Sequence, residues 1–169
     1  VGKRDLLKIG VSGKIISAFD VARAMALGAN WCNSARGFMF ALGCIQSRSC
    51  HTDHCPTGVA TQDPDRQRAL VVPDKATRVK NFHDLTVEAV AELVGAAGLE
   101  HPEQITPHYI MVRDGSGQAV SLDTQIPTLA HGVLLDESQL TSLPEPFRSE
   151  WQLASAENFA RVTLATAPV

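Results

Sequence analysis

A short apolar run, a helical pattern and a second short apolar run follow one another between residues 5 and 37. The first run, residues 5–11 ("DLLKIGV"), predicts a buried strand. The last segment, residues 30–37 ("NWCNSARG"), predicts a second strand followed by a turn of small residues. A strand, a helix and a strand within roughly 30 residues are typical of a βαβ unit. Because parallel strands need such a crossover, the segment predicts an α/β fold with a parallel sheet.

Two helices follow from their start and stop signals. Ser17, with Asp20 three residues later, predicts a capping box at the start of a helix that continues to Gly28. Pro73 begins the longest helical pattern, in which apolar residues recur at spacings of three and four, and Gly95 and Gly98 lie at its predicted end. This pattern is the strongest helical signal in the chain.

The remaining segments carry weaker signals. Residues 37–44 ("GFMFALGC") predict a brief helix after the second strand. "HYIMV" at 108–112 and "AVSL" at 119–122 predict a hairpin across a glycine-containing turn, with a loop as the alternative. Residues 123–169 predict an extended tail with a short helix at 146–161.

Composition and charge exclude several classes of function. The 169 residues contain 44% hydrophobic residues and carry a net charge of −3 with mixed signs, which argues against a nucleic-acid partner. Apolar runs fall far short of the roughly 20 residues that span a bilayer, so we expect no membrane span and a cytoplasmic protein. Four cysteines are too few for a disulfide scaffold. The sequence begins at Val1 without a methionine, which predicts a piece of a longer protein.

Three cysteines lie close together in "GCIQSRSCHTDHCPTGVATQDP", residues 43–64. Cys44, Cys50 and Cys55 follow the spacing C-x5-C-x4-C, which differs from the C-x2-C pattern of zinc knuckles and of bacterial ferredoxins. Thiolates are soft ligands that suit zinc, Cu(I) and iron–sulfur clusters. The residues alone therefore favour a metal or cluster site, with buried inert thiols as the alternative.

Zinc needs separate consideration because His51 and His54 lie between the last two cysteines. Ligands adjacent in sequence point in different directions and rarely reach the same tetrahedral ion. Three thiols without a nearby fourth fit a three-iron cluster better, and Pro56 after Cys55 is similar to the ending of some cluster loops. Cys32, in the second predicted strand, is interpreted as a small apolar side chain and is left out of the cluster.

The segment "SGKIISAFDVARAMALGANWCNSARGFMFALGCIQSRSCHTDHCPTGVATQDP", residues 12–64, closely resembles the end of the FMN-binding synthase domain of glutamate synthase. The resemblance is strong over residues 5–64 and fair through the helix that ends near residue 98. It implies that Cys44, Cys50 and Cys55 bind a [3Fe-4S] cluster. It also implies that the two predicted strands are the seventh and eighth of a (β/α)8 TIM barrel that holds FMN.

In such barrels the loops after the last two strands commonly form the phosphate site. Small residues there let backbone N–H groups approach a phosphate. Lys14 and Arg36 could add charge, with a solvated surface side chain as the alternative for each. The residues that the resemblance places at the FMN phosphate are Ser12, Gly13 and Lys14 after the first strand, and Ser34, Ala35, Arg36 and Gly37 after the second. His51 and Thr52 are candidates for contacts around the cluster, with a surface histidine and a loop-capping threonine as the alternative.

The resemblance also implies the reaction and the partners. We expect a flavin and iron–sulfur oxidoreductase that reduces 2-iminoglutarate, formed from 2-oxoglutarate and ammonia, to L-glutamate. Electrons would come from ferredoxin or an NAD(P)H-dependent reductase subunit. The expected domains are the end of the synthase barrel at 1–98, with the cluster loop at 43–64, and a C-terminal extension at 99–169 packed on the barrel. The remainder of the barrel would come from the parent chain. The alternative is a non-catalytic interaction module that binds zinc at the cysteine and histidine loop.

Overall fold

The computed structural model describes residues 2–157 of the chain. The chain divides into two compact units, one formed by residues 8–122 and the other by the described parts of residues 1–7 and 123–169. The larger unit contains two small sheets and most of the helical residues. This is a mixed α/β arrangement, as the sequence predicted; the assignment to a TIM barrel stays a prediction.

Two short parallel strands form the first sheet. Strand β1, Gly10–Ser12, pairs with strand β2, Trp31–Asn33, so that Val11 lies opposite Cys32. The observed β1 begins later than the predicted strand at residues 5–11, because Arg4–Leu6 form a 3-10 turn whose backbone hydrogen bonds are local. Apolar character alone did not reveal that these residues have no neighbouring strand to pair with in the described chain.

Helix α1, Ala18–Ala26, connects the two strands and begins with the predicted capping box. The Ser17 Oγ accepts a hydrogen bond of 3.3 Å from the backbone N–H of Asp20, and the Asp20 carboxylate accepts one of 3.0 Å from the N–H of Ser17. These two bonds satisfy N–H groups that would otherwise lack a partner at the helix start. Hydrogen bonds from Ser17 also lower the pKa of the Asp20 carboxyl.

The sheet side of α1 packs on an apolar cluster that includes Cys32. Its buried members are Ile15, Ala24, Met25 and Ala29, and Val11, Val21 and Cys32 pack against them. Burial raises the pKa of the Cys32 thiol. Cys32 therefore behaves as the small apolar side chain that the sequence predicted.

Two further helices lie against each other after β2. Helix α2, Arg36–Leu42, ends at Gly43, and helix α4, Val72–Ala96, ends just before Gly98. The rings of Phe38 on α2 and Phe82 on α4 meet edge to face with centroids 5.1 Å apart. Between them the chain forms a single-turn helix α3, Pro64–Gln67, which the sequence did not predict.

The end of the larger unit packs on α1 and α4. Strands β3, Met111–Arg113, and β4, Ala119–Ser121, form the predicted antiparallel hairpin. Ahead of the hairpin, Ile105 and Ile110 are buried in a core cluster with side chains of α1 and α4. Residues just beyond 98 are thus part of the same hydrophobic core as α1.

In the smaller unit, helix α5 covers Phe147–Leu153. The predicted helix at 146–161 is shorter at its C-terminal side because Ala154 has an extended backbone, with φ −71° and ψ 143°. Residues 158–161 of that prediction lie outside the described residues. The predicted domain boundary between residues 98 and 99 stays a prediction.

Candidate functional site

A cavity of about 600 Å³ lies at the C-terminal end of the parallel strands. Three segments line it: the turn after β1, the start and one face of α2, and the first half of the cysteine loop. The lining residues are Ser12, Gly13, Lys14, Ala35, Arg36, Met39, Phe40, Cys44, Gln46, Arg48 and Cys50. Because β1 and β2 are parallel neighbours, their carboxyl ends meet at the same edge, which brings the two turns together.

Five of the seven residues predicted at the phosphate site line this cavity. They are Ser12, Gly13, Lys14, Ala35 and Arg36. The other two, Ser34 and Gly37, do not line it; both face the inside of the unit. The Ser34 hydroxyl donates a hydrogen bond of 2.7 Å to the carbonyl oxygen of Ile15. Gly37 is buried against the ring of Phe82.

The turn after β1 needs two consecutive left-handed residues. Gly13 has φ +104° and Lys14 has φ +57°. The left-handed region costs roughly 1–2 kcal/mol for a residue with a Cβ, whereas glycine enters it freely. Left-handed residues other than glycine cluster at functional sites. Lys14 therefore holds a strained backbone at the wall of the cavity.

The charges around the cavity are of one sign. Lys14, Arg36 and Arg48 are the charged residues of the lining, and none of the lining residues is an aspartate or glutamate. Within residues 2–157, none of these three cations forms an ion pair with a carboxylate. Three cations without carboxylate partners around one cavity make a site for an anion.

Arg48 is the lining cation that the sequence analysis missed. It lies in the cysteine loop between Cys44 and Cys50 and has φ +60°. Gln46, also left-handed at φ +57°, helps to turn the loop back to the cavity. An arginine within a cysteine loop was the only available signal, and it does not reveal on which side of the loop the side chain lies.

The structure places the three cysteines of the motif in different surroundings. Cys44 and Cys50 line the cavity, whereas Cys55 is buried, with 5% of its surface exposed, and lies outside the lining. All four cysteines of the chain are free thiols. Over the described range, 2–157, no group of three histidine, cysteine, aspartate or glutamate side chains is arranged to hold a metal ion.

The surroundings of Cys55 favour a thiolate. A contact of 3.5 Å joins the Cys55 Sγ to the Thr57 Oγ1. Hydrogen bonds from the Thr57 hydroxyl, and then from the backbone of Ala60 and Thr57, lower the pKa of Cys55 to about 7. The thiolate is the form that binds metal ions. Thiolates of this kind are the ligands that iron–sulfur clusters use.

Asp53 fixes the second half of the cysteine loop. Its carboxylate accepts hydrogen bonds of 2.6 Å from the N–H of Gln62 and 3.0 Å from the Thr61 hydroxyl, which lower the pKa of Asp53. Gly58, with φ +74°, lies so close to the backbone of α3 that a Cβ would collide with the carbonyl oxygen of Arg66. Glycine is required here both for its backbone and for the close approach.

His51, Thr52 and His54 lie on the outer side of the cysteine loop. His51 and His54 are both exposed. The Thr52 hydroxyl donates a hydrogen bond of 2.8 Å to the Ser49 carbonyl and accepts one of 3.3 Å from the N–H of His54. Thr52 therefore caps the turn of the loop, which was the alternative to a contact with the cluster.

Among the helices of residues 2–157, none combines the length and the apolar character needed to cross a membrane. The longest of them, α4, carries charged residues along its length.

Comparison with known proteins identifies the relatives of the chain. The family model described as the conserved region in glutamate synthase matches residues 1–100. A glutamate synthase large subunit-like protein, YerD of Bacillus subtilis, is 42% identical over 125 residues, which cover 74% of this chain and 24% of the relative. The archaeal glutamate synthase [NADPH] of Methanocaldococcus jannaschii is 36% identical over 104 residues, or 62% of this chain and 20% of the relative.

The ferredoxin-dependent glutamate synthase of Antithamnion sp. is 31% identical over 102 residues, covering 60% of this chain and 6% of the relative. The chain thus spans about a quarter or less of the length of these relatives. The matched residues 1–100 contain both turns of the cavity and all three cysteines of the loop. The chain belongs to the glutamate synthase family.

Proposed function

We propose that the chain is part of a glutamate synthase-type oxidoreductase that uses FMN and a [3Fe-4S] cluster. The proposal rests on the cavity at the carboxyl ends of the two parallel strands. Three cations line this cavity, and no carboxylate does. Turns at this position of an α/β fold are where phosphate groups bind. The cavity therefore suits the phosphate of FMN.

The chain's own residues have distinct roles at this phosphate. Backbone N–H groups of the turn at Gly13 can approach an anion because no Cβ is present and no other atom lies within 4 Å of that position. Lys14 and Arg36 supply positive charge from the two turns, and Arg48 supplies it from the cysteine loop. Arginine also offers two parallel N–H groups to phosphate oxygens, which fixes the orientation of the group.

Cys44, Cys50 and Cys55 are proposed as the ligands of the [3Fe-4S] cluster. Cys55 is already in a setting that favours the thiolate, and Cys44 and Cys50 share a cavity wall.

The proposed reaction is the reduction of 2-iminoglutarate, formed from 2-oxoglutarate and ammonia, to L-glutamate. When bound, FMN supplies hydride transfer and the cluster supplies one-electron transfer. The proposed electron donor is ferredoxin or an NAD(P)H-dependent reductase subunit; the names of the relatives include NADPH-, NADH- and ferredoxin-dependent enzymes. The remaining strands of the barrel and the substrate site would be contributed by the rest of the parent chain.

Flavin titration of the full-length protein tests the phosphate site. FMN and riboflavin differ only by the phosphate, so the ratio of their dissociation constants isolates its contribution. Replacing Arg36 or Arg48 by alanine should weaken FMN binding about tenfold, which equals about 1.4 kcal/mol, because each removes a charge-assisted hydrogen bond. Riboflavin binding should remain unchanged.

The control is Arg68→Ala, since Arg68 pairs with Asp65, is 82% exposed and does not line the cavity. Equal affinity of the wild-type protein for FMN and riboflavin would contradict the phosphate site. Binding of zinc in place of iron and flavin would instead support a non-catalytic module.

A further inference from the structure

We propose that Ser34, Gly37 and Phe82 are positioning residues that hold the two phosphate turns at a fixed separation. The inference rests on the proposed FMN site, because it explains which residues on the interior side of the two turns hold them in place. None of these three residues lines the cavity. Each contacts, on the side of the turn that faces the interior, a residue that is adjacent in sequence to one that does.

Ser34 joins the two turns directly. Its hydroxyl donates a hydrogen bond of 2.7 Å to the carbonyl oxygen of Ile15, which is 5% exposed. In sequence, Ile15 follows Lys14 and Ser34 precedes Ala35, so the bond lies one residue away from the cavity wall in both turns. A hydrogen bond at this place limits how far Lys14 and Arg36 can move apart.

Gly37 lets the first turn of α2 pack closely against α4, because it has no side chain. A Cβ at this position would lie 2.5 Å from Cζ of Phe82 and 2.8 Å from the Ser34 Oγ. Any side chain would therefore push on the ring and on the hydroxyl that holds the two turns together. The buried position of Gly37 leaves no room for α2 to accept a methyl group without a shift.

Phe82 connects helix α4 to the first turn of α2. Its ring contacts Phe38 edge to face at 5.1 Å and fills the space left by the missing side chain of Gly37. Helix α4 begins at Val72, after the cysteine loop, and contributes no residue to the lining. The affinity of the cavity for phosphate should therefore depend on a helix that does not touch the ligand.

The test measures FMN and riboflavin dissociation constants for variants of the full-length protein. Ser34→Ala removes one hydrogen bond and should raise the dissociation constant for FMN about threefold to tenfold. Gly37→Ala should raise it by about tenfold or more, since the added methyl group displaces both neighbours. Riboflavin affinity should change by less than about twofold in both variants, whereas a general loss of stability would weaken both flavins equally.

Two matched controls make the same kinds of change elsewhere in the same unit. Thr77→Val deletes a hydroxyl that donates to the Pro73 carbonyl at 2.9 Å, and Gly95→Ala adds a methyl group where no atom lies within 4 Å. Both should leave the FMN to riboflavin ratio at the wild-type value. The variant Gly37→Ala/Phe82→Leu should recover part of the affinity that Gly37→Ala loses, because leucine lacks the ring atoms that collide with the methyl group.

Hydrogen exchange of the backbone amides at 12–16 and 34–38 provides a readout without flavin. Faster exchange at both turns in Ser34→Ala, with none in Thr77→Val, supports the positioning role even if Gly37→Ala fails to fold. Unchanged exchange, or an FMN to riboflavin ratio equal to that of the wild type in Ser34→Ala, overturns it. If the wild-type protein binds no FMN, the proposed function fails, and the exchange rates alone decide whether Ser34 holds the turns.

Discussion

Gly58 and Gly98 have nearly the same left-handed backbone and very different surroundings. Their φ angles are +74° and +73°. A Cβ on Gly58 would collide with the carbonyl oxygen of Arg66, which belongs to the backbone and cannot rotate away, whereas a Cβ on Gly98 meets nothing within 4 Å. Replacing each by alanine therefore separates the cost of the backbone conformation from the cost of the close approach.

The expected losses of free energy of unfolding are the sum of a backbone cost and a collision cost. Alanine in the left-handed region costs about 1 kcal/mol at both positions. At Gly58 the collision adds roughly 1–3 kcal/mol, the range found when a packed site receives an extra carbon atom. We therefore expect Gly58→Ala to destabilise the cysteine loop by about 2–4 kcal/mol and Gly98→Ala to destabilise the end of α4 by about 1 kcal/mol.

Native-state hydrogen exchange measures both losses in the same protein. A loss of about 2 kcal/mol should raise exchange at residues 53–67 about thirtyfold in Gly58→Ala, because each 1.4 kcal/mol corresponds to a factor of ten. Gly98→Ala should raise exchange only near the end of α4, and by about fivefold. Equal effects of the two substitutions, or unchanged exchange at 53–67 in Gly58→Ala, would refute the close approach between Gly58 and α3.

Two further predictions concern the capping box and the accessibility of the thiols. Ser17→Ala should lower the free energy of unfolding by about 1 kcal/mol in chemical denaturation. The Ser17 backbone N–H, which the variant keeps, and then the Ser17 hydroxyl, which donates a hydrogen bond to the Asp20 carboxylate, lower the pKa of Asp20 below its ordinary value of 3.8. The part of the stabilisation due to this hydroxyl is therefore present above pH 3.8 and is lost as the pH falls through the lowered pKa; a difference between wild type and Ser17→Ala that does not shrink on acidification below pH 3.8 would contradict it. In metal-free protein, iodoacetamide should alkylate exposed Cys50 before Cys55, although the lower pKa of Cys55 favours its reaction, because only 5% of Cys55 is exposed. Faster modification of Cys55, read by peptide mass spectrometry, would show that the loop around it opens readily.

Local patterns in the sequence predicted the elements that local interactions determine. The capping box of Ser17 and Asp20, the long helix α4 and the antiparallel hairpin all depend on residues near one another in the chain, and all were confirmed. The parallel pairing of β1 and β2 was also predictable, because a strand, a helix and a strand in close succession pack in few ways.

Contacts between distant segments explain what the sequence did not reveal. The later start of β1 follows from the 3-10 turn at Arg4–Leu6. Asn30, 21 residues away, binds the chain just ahead of the strand: its side chain accepts a hydrogen bond of 2.9 Å from the Ile9 N–H, and its N–H donates one of 2.7 Å to the Ile9 carbonyl. Arg48 reaches the cavity only because the cysteine loop turns back across left-handed residues. Motif spacing cannot show either feature.

Motif spacing also does not show which of the predicted site residues line the cavity. Ser34 and Gly37 belong to the turn that the motif identifies, yet the first bonds to Ile15 and the second packs on Phe82. Position in a motif does not separate a residue that lines a cavity from one that supports the lining. The three cysteines are close in sequence, yet Cys44 and Cys50 line the cavity and Cys55 is buried. Their role as common ligands stays a prediction.

The most direct measurement is the iron, sulfide and flavin content of the full-length protein purified without oxygen, together with its electron paramagnetic resonance spectrum. We expect about three iron atoms and one FMN for each chain, with the signal of a three-iron cluster that is lost in Cys50→Ser and retained in Cys32→Ser. Stoichiometric zinc without iron, or an unchanged cluster signal in Cys50→Ser, would contradict it.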